Sequence, residues 1–207
     1  MDKHQFDVWS TDYDETVKKS TAGYPFEGHE KAIQAIYCLI QNDSNTKILD
    51  LGIGTGTLTQ KLYQEGARIT GVDFSEKMLN QAKQKMPDAT LIECDLKEGV
   101  PFVLQNMKFQ YIISAYAFHH WEDRQKIDLI QQCTDLLTPS GKILVADIMF
   151  STLLDRESCK KQYRNCWDDD EFYILADEFI RTLRSIDLDV KFHPISFCCG
   201  ILEISVR

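Results

Sequence analysis

Residues 48–56 read Ile-Leu-Asp-Leu-Gly-Ile-Gly-Thr-Gly, an apolar run that carries one acid and closes on glycines at alternate positions. Glycine has no Cβ, so backbone of this kind can lie against a ligand and take the angles a strand-to-helix turn demands. A second apolar segment, residues 68–73, ends on Asp73, about twenty residues beyond the first glycine, the spacing at which a carboxylate accepts hydrogen bonds from ribose hydroxyls. The nicotinamide fingerprint needs glycine at the first, third and sixth loop positions. Here Gly52, Gly54 and Gly56 are followed by Thr57 at the sixth. Asp50 stands two residues before Gly52, where negative charge gains nothing from a pyrophosphate. A cofactor bearing a sulfonium and an ammonium group suits that acid better, and the pattern points to S-adenosylmethionine. The competing readings are a glycine-rich turn with no ligand and an Asp73 that caps the next helix, a task for which Ser75 also competes.

Two further segments hold candidate chemistry. Residues 93–96 (Glu-Cys-Asp-Leu) follow a third apolar run, and residues 114–121 (Ser-Ala-Tyr-Ala-Phe-His-His-Trp) begin where a fourth ends. The carboxyl ends of parallel strands open onto the crevice where such sheets bind ligands. His119 and His120 are candidates for a general base, since histidine titrates near neutral pH. The alternative is that one is satisfied by hydrogen bonds under the cofactor while the other faces solvent or caps a helix. No metal is expected: adjacent histidines converge poorly on one ion, and His193 shows no acidic or cysteine companion at ligand spacing.

The elements that position these residues alternate between strand and helix, the signature of a parallel sheet with helical crossovers. Strands are expected at 47–51, 68–73, 89–93, 109–114 and 142–148, and helices at 58–65, 75–86 and 123–137. Residues 138–141 (Thr-Pro-Ser-Gly) read as a turn by residue type. Residues 150–167 are polar with weak periodicity. A helix is expected over 169–186 with Phe172, Phe179 and Leu183 in its buried stripe, and Asp168, Asp169 and Asp170 read as its cap. Segments 189–194 and 196–206 are too close together for a crossover and must pair as an antiparallel hairpin. Residues 1–46 form a helical preface, with 31–40 its most regular part.

Taken together, these features resemble the class I methyltransferase fold, a Rossmann-like three-layer α/β sandwich. In that family the sheet has seven strands and is mostly parallel, with an antiparallel C-terminal hairpin whose last strand lies beside the fifth. The opening Phe6-Asp7, Trp9 and Tyr13-Asp14, the central motifs and the close at residues 195–201 are similar to the YrrT-like group of small bacterial methyltransferases. The resemblance implies a single domain over 1–207, with a cover at 1–46, a cofactor-binding core at 47–148, a possible lid at 149–168 and a C-terminal helix and hairpin at 169–207. It implies that residues 52–56, with Gly52 and Gly54, wrap the methionine moiety near Asp50, that Asp73 holds the ribose, and that Asp95 and Leu96 take the adenine. Ser114 joins the cofactor set at the end of the fourth strand, and Tyr13 lines the pocket. The Asp/Asn-Pro-Pro-aromatic segment of adenine-amino DNA methyltransferases and the Pro-Cys nucleophile of cytosine-C5 enzymes are both missing.

Composition narrows the acceptor. The 207 residues, 43% hydrophobic and 27% charged, suit one ordinary globular domain. The net charge of −9, with no basic stretch, counts against nucleic acid as partner. Seven cysteines without a framework, no apolar leader and no membrane-length run point to reduced thiols in a cytoplasm. The expected reaction is in-line methyl transfer from S-adenosylmethionine to a small molecule; the alternative is a protein that binds the cofactor without transfer.

Overall fold

Consecutive parallel strands need a crossover, and an amphipathic helix supplies it while covering the sheet face it crosses. The computed structural model describes residues 23–207. Strands β1 (Lys47–Leu51), β2 (Arg68–Asp73), β3 (Thr90–Glu93), β4 (Phe109–Ala115) and β5 (Leu137–Phe150) run parallel. Further along the chain lie β6 (Ile174–Leu175), β7 (Leu188–Pro194) and β8 (Cys199–Val206). The order is β3-β2-β1-β4-β5-β8-β7, with β8 antiparallel to both of its neighbours. The two-residue β6 pairs with the end of β5 and makes an eighth strand where seven were expected. The order reverses between β1 and β4, which opens a crevice at their carboxyl ends.

Period-two alternation sends neighbouring side chains to opposite faces. Ile48 and Ile113 enter one core while Leu49 and Ile112 enter the other. Helix α1 (His29–Leu39) and the short α2 (Thr59–Gln64) feed Ile36 and Leu62 into the first core, joined by Leu79 and Ala82 from α3 (Glu76–Lys85). The second receives Leu129 and Ile130 from α4 (Asp123–Thr134), and Phe179 and Leu183 from α6 (Ala176–Ser185). The helix between these two, α5 (Leu153–Gln162), follows β5. Each fully buried leucine, isoleucine or phenylalanine among these is worth about 1.5–3 kcal/mol. Ser75 caps α3 by accepting the Met78 N–H at 3.3 Å.

Several expectations are corrected. Helix α4 stops at Thr134, and the expected turn at 138–141 lies within β5. There the pairing jumps from Phe109↔Leu137 to Tyr111↔Lys142, so the proline and glycine are absorbed as an irregularity in the strand and not as a reversal. Residues 150–167 contain α5, opened by a capping box in which Thr152 accepts from Asp155 N–H at 3.3 Å and Asp155 accepts from Thr152 N–H at 3.0 Å. Its only buried residue is Cys159, which explains the weak apolar periodicity. The helix expected from 169 begins at Ala176, because Ile174 and Leu175 pair with Met149 and Phe150 first. Phe172 is therefore 43% exposed, and the three aspartates at 168–170 do not cap α6.

All seven cysteines are free, with Cys198 and Cys199 buried. Among the described residues no helix is long and apolar enough to cross a membrane.

Ser114 ties the two strands at the point of reversal: its buried hydroxyl donates to the Leu51 carbonyl at 2.7 Å. Ser114→Ala leaves that carbonyl without its donor, and a urea titration is expected to show about 1–3 kcal/mol less stability. An unchanged midpoint would mean the bond does not hold β1 to β4.

Candidate active site

The turns that leave β1, β2, β3 and β4 surround a cavity of about 1420 Å³, closed on its other sides by α1 with Pro25 and Phe26, and by Asp168, Asp170 and Glu171. Asp73, buried at the end of β2, organises its floor. One carboxylate oxygen accepts the Gly54 N–H at 2.8 Å and the other accepts the Ser75 N–H at 2.9 Å. The Gly52 and Ile53 N–H groups both donate to the Val72 carbonyl, at 2.8 and 3.0 Å. The glycine turn is thereby docked onto the end of β2. Gly52 and Gly54 both have left-handed backbones, with φ of 73° and 55°. A Cβ on Gly52 would lie 2.8 Å from the Ala117 Cβ, so packing alone requires glycine there. A Cβ on Gly54 would meet nothing within 4 Å. At that position the side-chain space belongs to the cavity.

Asp50 also lines the cavity, although its own surface is only 2% exposed. Burial lifts its pKa to about 7, the neighbouring Thr59 hydroxyl opposing and the Asp73 charge adding to the rise. Among the described residues it forms no ion pair, so a carboxylate sits at the cavity edge without a protein cation. Asp95 and Leu96 face the same space from the turn after β3, where Asp95 accepts the Lys97 N–H at 2.9 Å. Ser114, expected in the cofactor set, is not among the lining residues, because its hydroxyl is turned inward to Leu51. Tyr13 and Trp9 lie outside the described residues.

The wall after β4 is built by the 3₁₀ turn Phe118–His120. It follows Tyr116, a cavity residue with φ of 55°, a strained backbone for a bulky aromatic. His119 Nδ1 is 2.6 Å from Asp147 Oδ1, and its backbone N–H donates to Asp147 Oδ2 at 3.1 Å. On the far side of the ring, Nε2 is 3.6 Å from Glu171 Oε1. Burial opposes a charged ring, but the charge and hydrogen bond of Asp147, helped by Glu171, hold the His119 pKa above its usual value. His120, with its ring centroid 4.1 Å from that of His119, is pushed down to about 3 by burial and by the His119 charge.

His119 is thus hydrogen-bonded to Asp147 and also lines the cavity, as does His120. Two arguments about metal spacing do not hold. His119, His120 and Glu171 each place a ligand atom within 4.8 Å of the others, because the 3₁₀ turn folds the adjacent rings together and Glu171 approaches from another segment. His193 does have an acidic companion, Glu203 at 2.9 Å across the hairpin. Asp147 and Glu171 escaped notice in the sequence. The first has a signal, a lone acid inside an apolar strand; the second is hidden in a stretch that reads as helix.

A model of a methyltransferase domain matches residues 48–141. The chain is 32% identical over 196 residues to an uncharacterized methyltransferase of Alkaliphilus oremlandii, covering 90% of this chain and 87% of that one. It is 27% identical over 207 residues to an uncharacterized methyltransferase, YrrT, of Halobacillus halophilus, covering 96% and 94%. Among solved structures, magnesium protoporphyrin IX methyltransferase from Synechocystis PCC 6803 with bound S-adenosylhomocysteine superposes with a TM-score of 0.73, at 18% identity over the full length of both chains.

The paired bonds at Asp73 make it an anchor of the apo fold. Asp73→Ala is expected to lower the unfolding free energy by about 1.5–3 kcal/mol, the range for hydrogen bonds to a charged group. Chemical denaturation without ligand measures this, and wild-type stability in the variant would refute the anchoring role.

Proposed function

Because the chain belongs to the class I methyltransferases, we propose that it transfers the methyl group of S-adenosylmethionine to a small-molecule acceptor by in-line displacement. The observation that carries this is the arrangement of one cavity along four strand ends, with Asp50, Asp73 and Asp95 presented from successive turns and open space above Gly54. The residues fit the cofactor's chemistry. A buried carboxylate without a protein cation at Asp50 suits an ammonium group, and the carboxylate of Asp73 retains acceptor capacity for ribose hydroxyls. Asp95 and Leu96 take the adenine in this reading, and Tyr13 remains the proposed pocket contact from the N-terminal cover.

S-adenosylmethionine supplies both the electrophilic methyl and its leaving group. The protein's part is to hold two reactants in line and exclude water, an effect worth up to about 7–11 kcal/mol of barrier. The backbone anchors at Gly52, Ile53 and Gly54 fix the donor side of the cavity. The wall of Tyr116, His119, His120 and Glu171 fixes the acceptor side. A small acceptor is supported by the cover that α1, Asp168, Asp170 and Glu171 place over the cavity. The acids at Asp168, Asp170 and Glu171 and a net charge of −9 disfavour polyanionic acceptors.

Incubation with S-adenosylmethionine and a pooled metabolite extract is expected to release S-adenosylhomocysteine together with one metabolite that gains a methyl group by mass spectrometry. Release only with nucleic acid or protein would overturn the small-molecule assignment. The raised pKa of Asp50 gives binding a sign. Below about pH 7 the empty site holds a proton that a cationic ligand must displace, so affinity rises with pH towards that value. Calorimetry with S-adenosylhomocysteine between pH 5.5 and 7.5 is expected to show a more than about tenfold gain, since each pH unit below the pKa costs up to tenfold in the ionised fraction. Asp50→Asn flattens this profile. A flat wild-type profile would remove Asp50 from the ammonium site.

A further inference from the structure

We propose that His119, His120 and Glu171 form a binding site for one divalent transition-metal ion, placed where the acceptor enters. The inference rests on the methyl-transfer reading only for the use of the ion, not for its binding. Three ligand atoms of three side chains lie within 4.8 Å of one another, and all three residues line the cavity. Side-chain rotations of an ångström or so bring such atoms to the 2.0–2.2 Å distances that imidazole nitrogen and carboxylate oxygen take around zinc. Two imidazoles and one carboxylate are the donor set of catalytic zinc sites, which keep a further position open. They suit zinc, iron, cobalt or nickel ions and not the hard cations magnesium and calcium.

The second observation lies behind the ring. A metal-bound histidine almost always gives its other ring nitrogen to a carboxylate or carbonyl, which fixes the tautomer and aims the ligating atom. Asp147 does this for His119: it sits 2.6 Å from Nδ1 and also accepts the His119 backbone N–H, leaving Nε2 directed at Glu171, 3.6 Å away. Nδ1 of His119 is already committed to Asp147, so Nε2 is the ring nitrogen left to ligate an ion.

The open position faces the cavity, which points to an acceptor carrying a thiol or hydroxyl. On binding to the ion its S–H or O–H bond breaks, the electron pair stays on the heteroatom, and the proton leaves to solvent.

The test is a zinc titration of the whole protein in competition with a chromophoric chelator, with S-adenosylhomocysteine affinity measured on the same samples. One zinc ion per chain is expected, with affinity reduced at least tenfold in both His120→Ala and Glu171→Gln. His193→Ala, which breaks the His193–Glu203 pair in the hairpin, should leave zinc affinity unchanged. Because a variant may misfold, a second readout uses wild type alone: long-range ¹H–¹⁵N spectra should show the His119 Nε2 resonance move on adding zinc, and not on adding magnesium. Absence of a one-to-one complex, zinc affinity unaltered in both variants, or an unmoved His119 resonance would each overturn the site. Failed zinc binding with S-adenosylhomocysteine still bound sinks this proposal alone, whereas loss of S-adenosylhomocysteine binding by wild type sinks the donor-site reading.

Discussion

A single carboxylate joins the parts of the molecule that matter for its chemistry. Asp73 ends β2, accepts the N–H of Gly54 from the turn after β1, and accepts the N–H of Ser75 at the start of α3. Backbone N–H groups at such turns are costly to bury unpaired, and here one side chain satisfies two of them from different segments. The consequence is positional. The glycine turn, the second strand and the third helix cannot drift relative to one another while those bonds persist. The cavity above Gly54 inherits its shape from them.

The second constraint is electrostatic. Carboxylates surround this cavity: Asp50 and Asp73 beneath it, Asp95 at one end, Asp168, Asp170 and Glu171 at the other. Like charges so close raise one another's cost of ionisation. The protein meets that cost in different ways: Asp73 with backbone donors and Asp50 by retaining a proton until something cationic arrives, while Asp147, buried behind the cavity wall, is paired with the His119 ring. Lys126, fully buried in α4, is held by Asp123 at 2.7 Å and the Phe172 carbonyl at 2.6 Å, which fixes the segment carrying Glu171 against that helix.

Local signals were readable in the sequence wherever one residue type has one physical use. Apolar runs separated by helical segments marked the five parallel strands, Ser75 marked the start of α3, and the offset of Asp50 from the glycines separated the turn from a dinucleotide loop. What could not be read depends on distant partners. Residues 138–141 carry turn chemistry, yet pairing with β4 draws them into a strand. Residues 169–175 read as the first turns of a helix until β5 offers hydrogen bonds to Ile174 and Leu175. Ser114 stands at the correct strand end for a cofactor contact, but the Leu51 carbonyl is the acceptor within its reach. The cluster around His119 joins three segments, at 119–120, 147 and 171, and no spacing along the chain encodes their meeting.

The account stands on the claim that this crevice seats an adenosyl donor with its amino-acid end over the glycine turn. A crystal structure of the protein soaked with S-adenosylhomocysteine tests that most directly. The account requires adenine beside Leu96, ribose hydroxyls on Asp73 and the ammonium group near Asp50. Density for the ligand elsewhere, or in this crevice with its adenine and amino-acid ends exchanged, would contradict it.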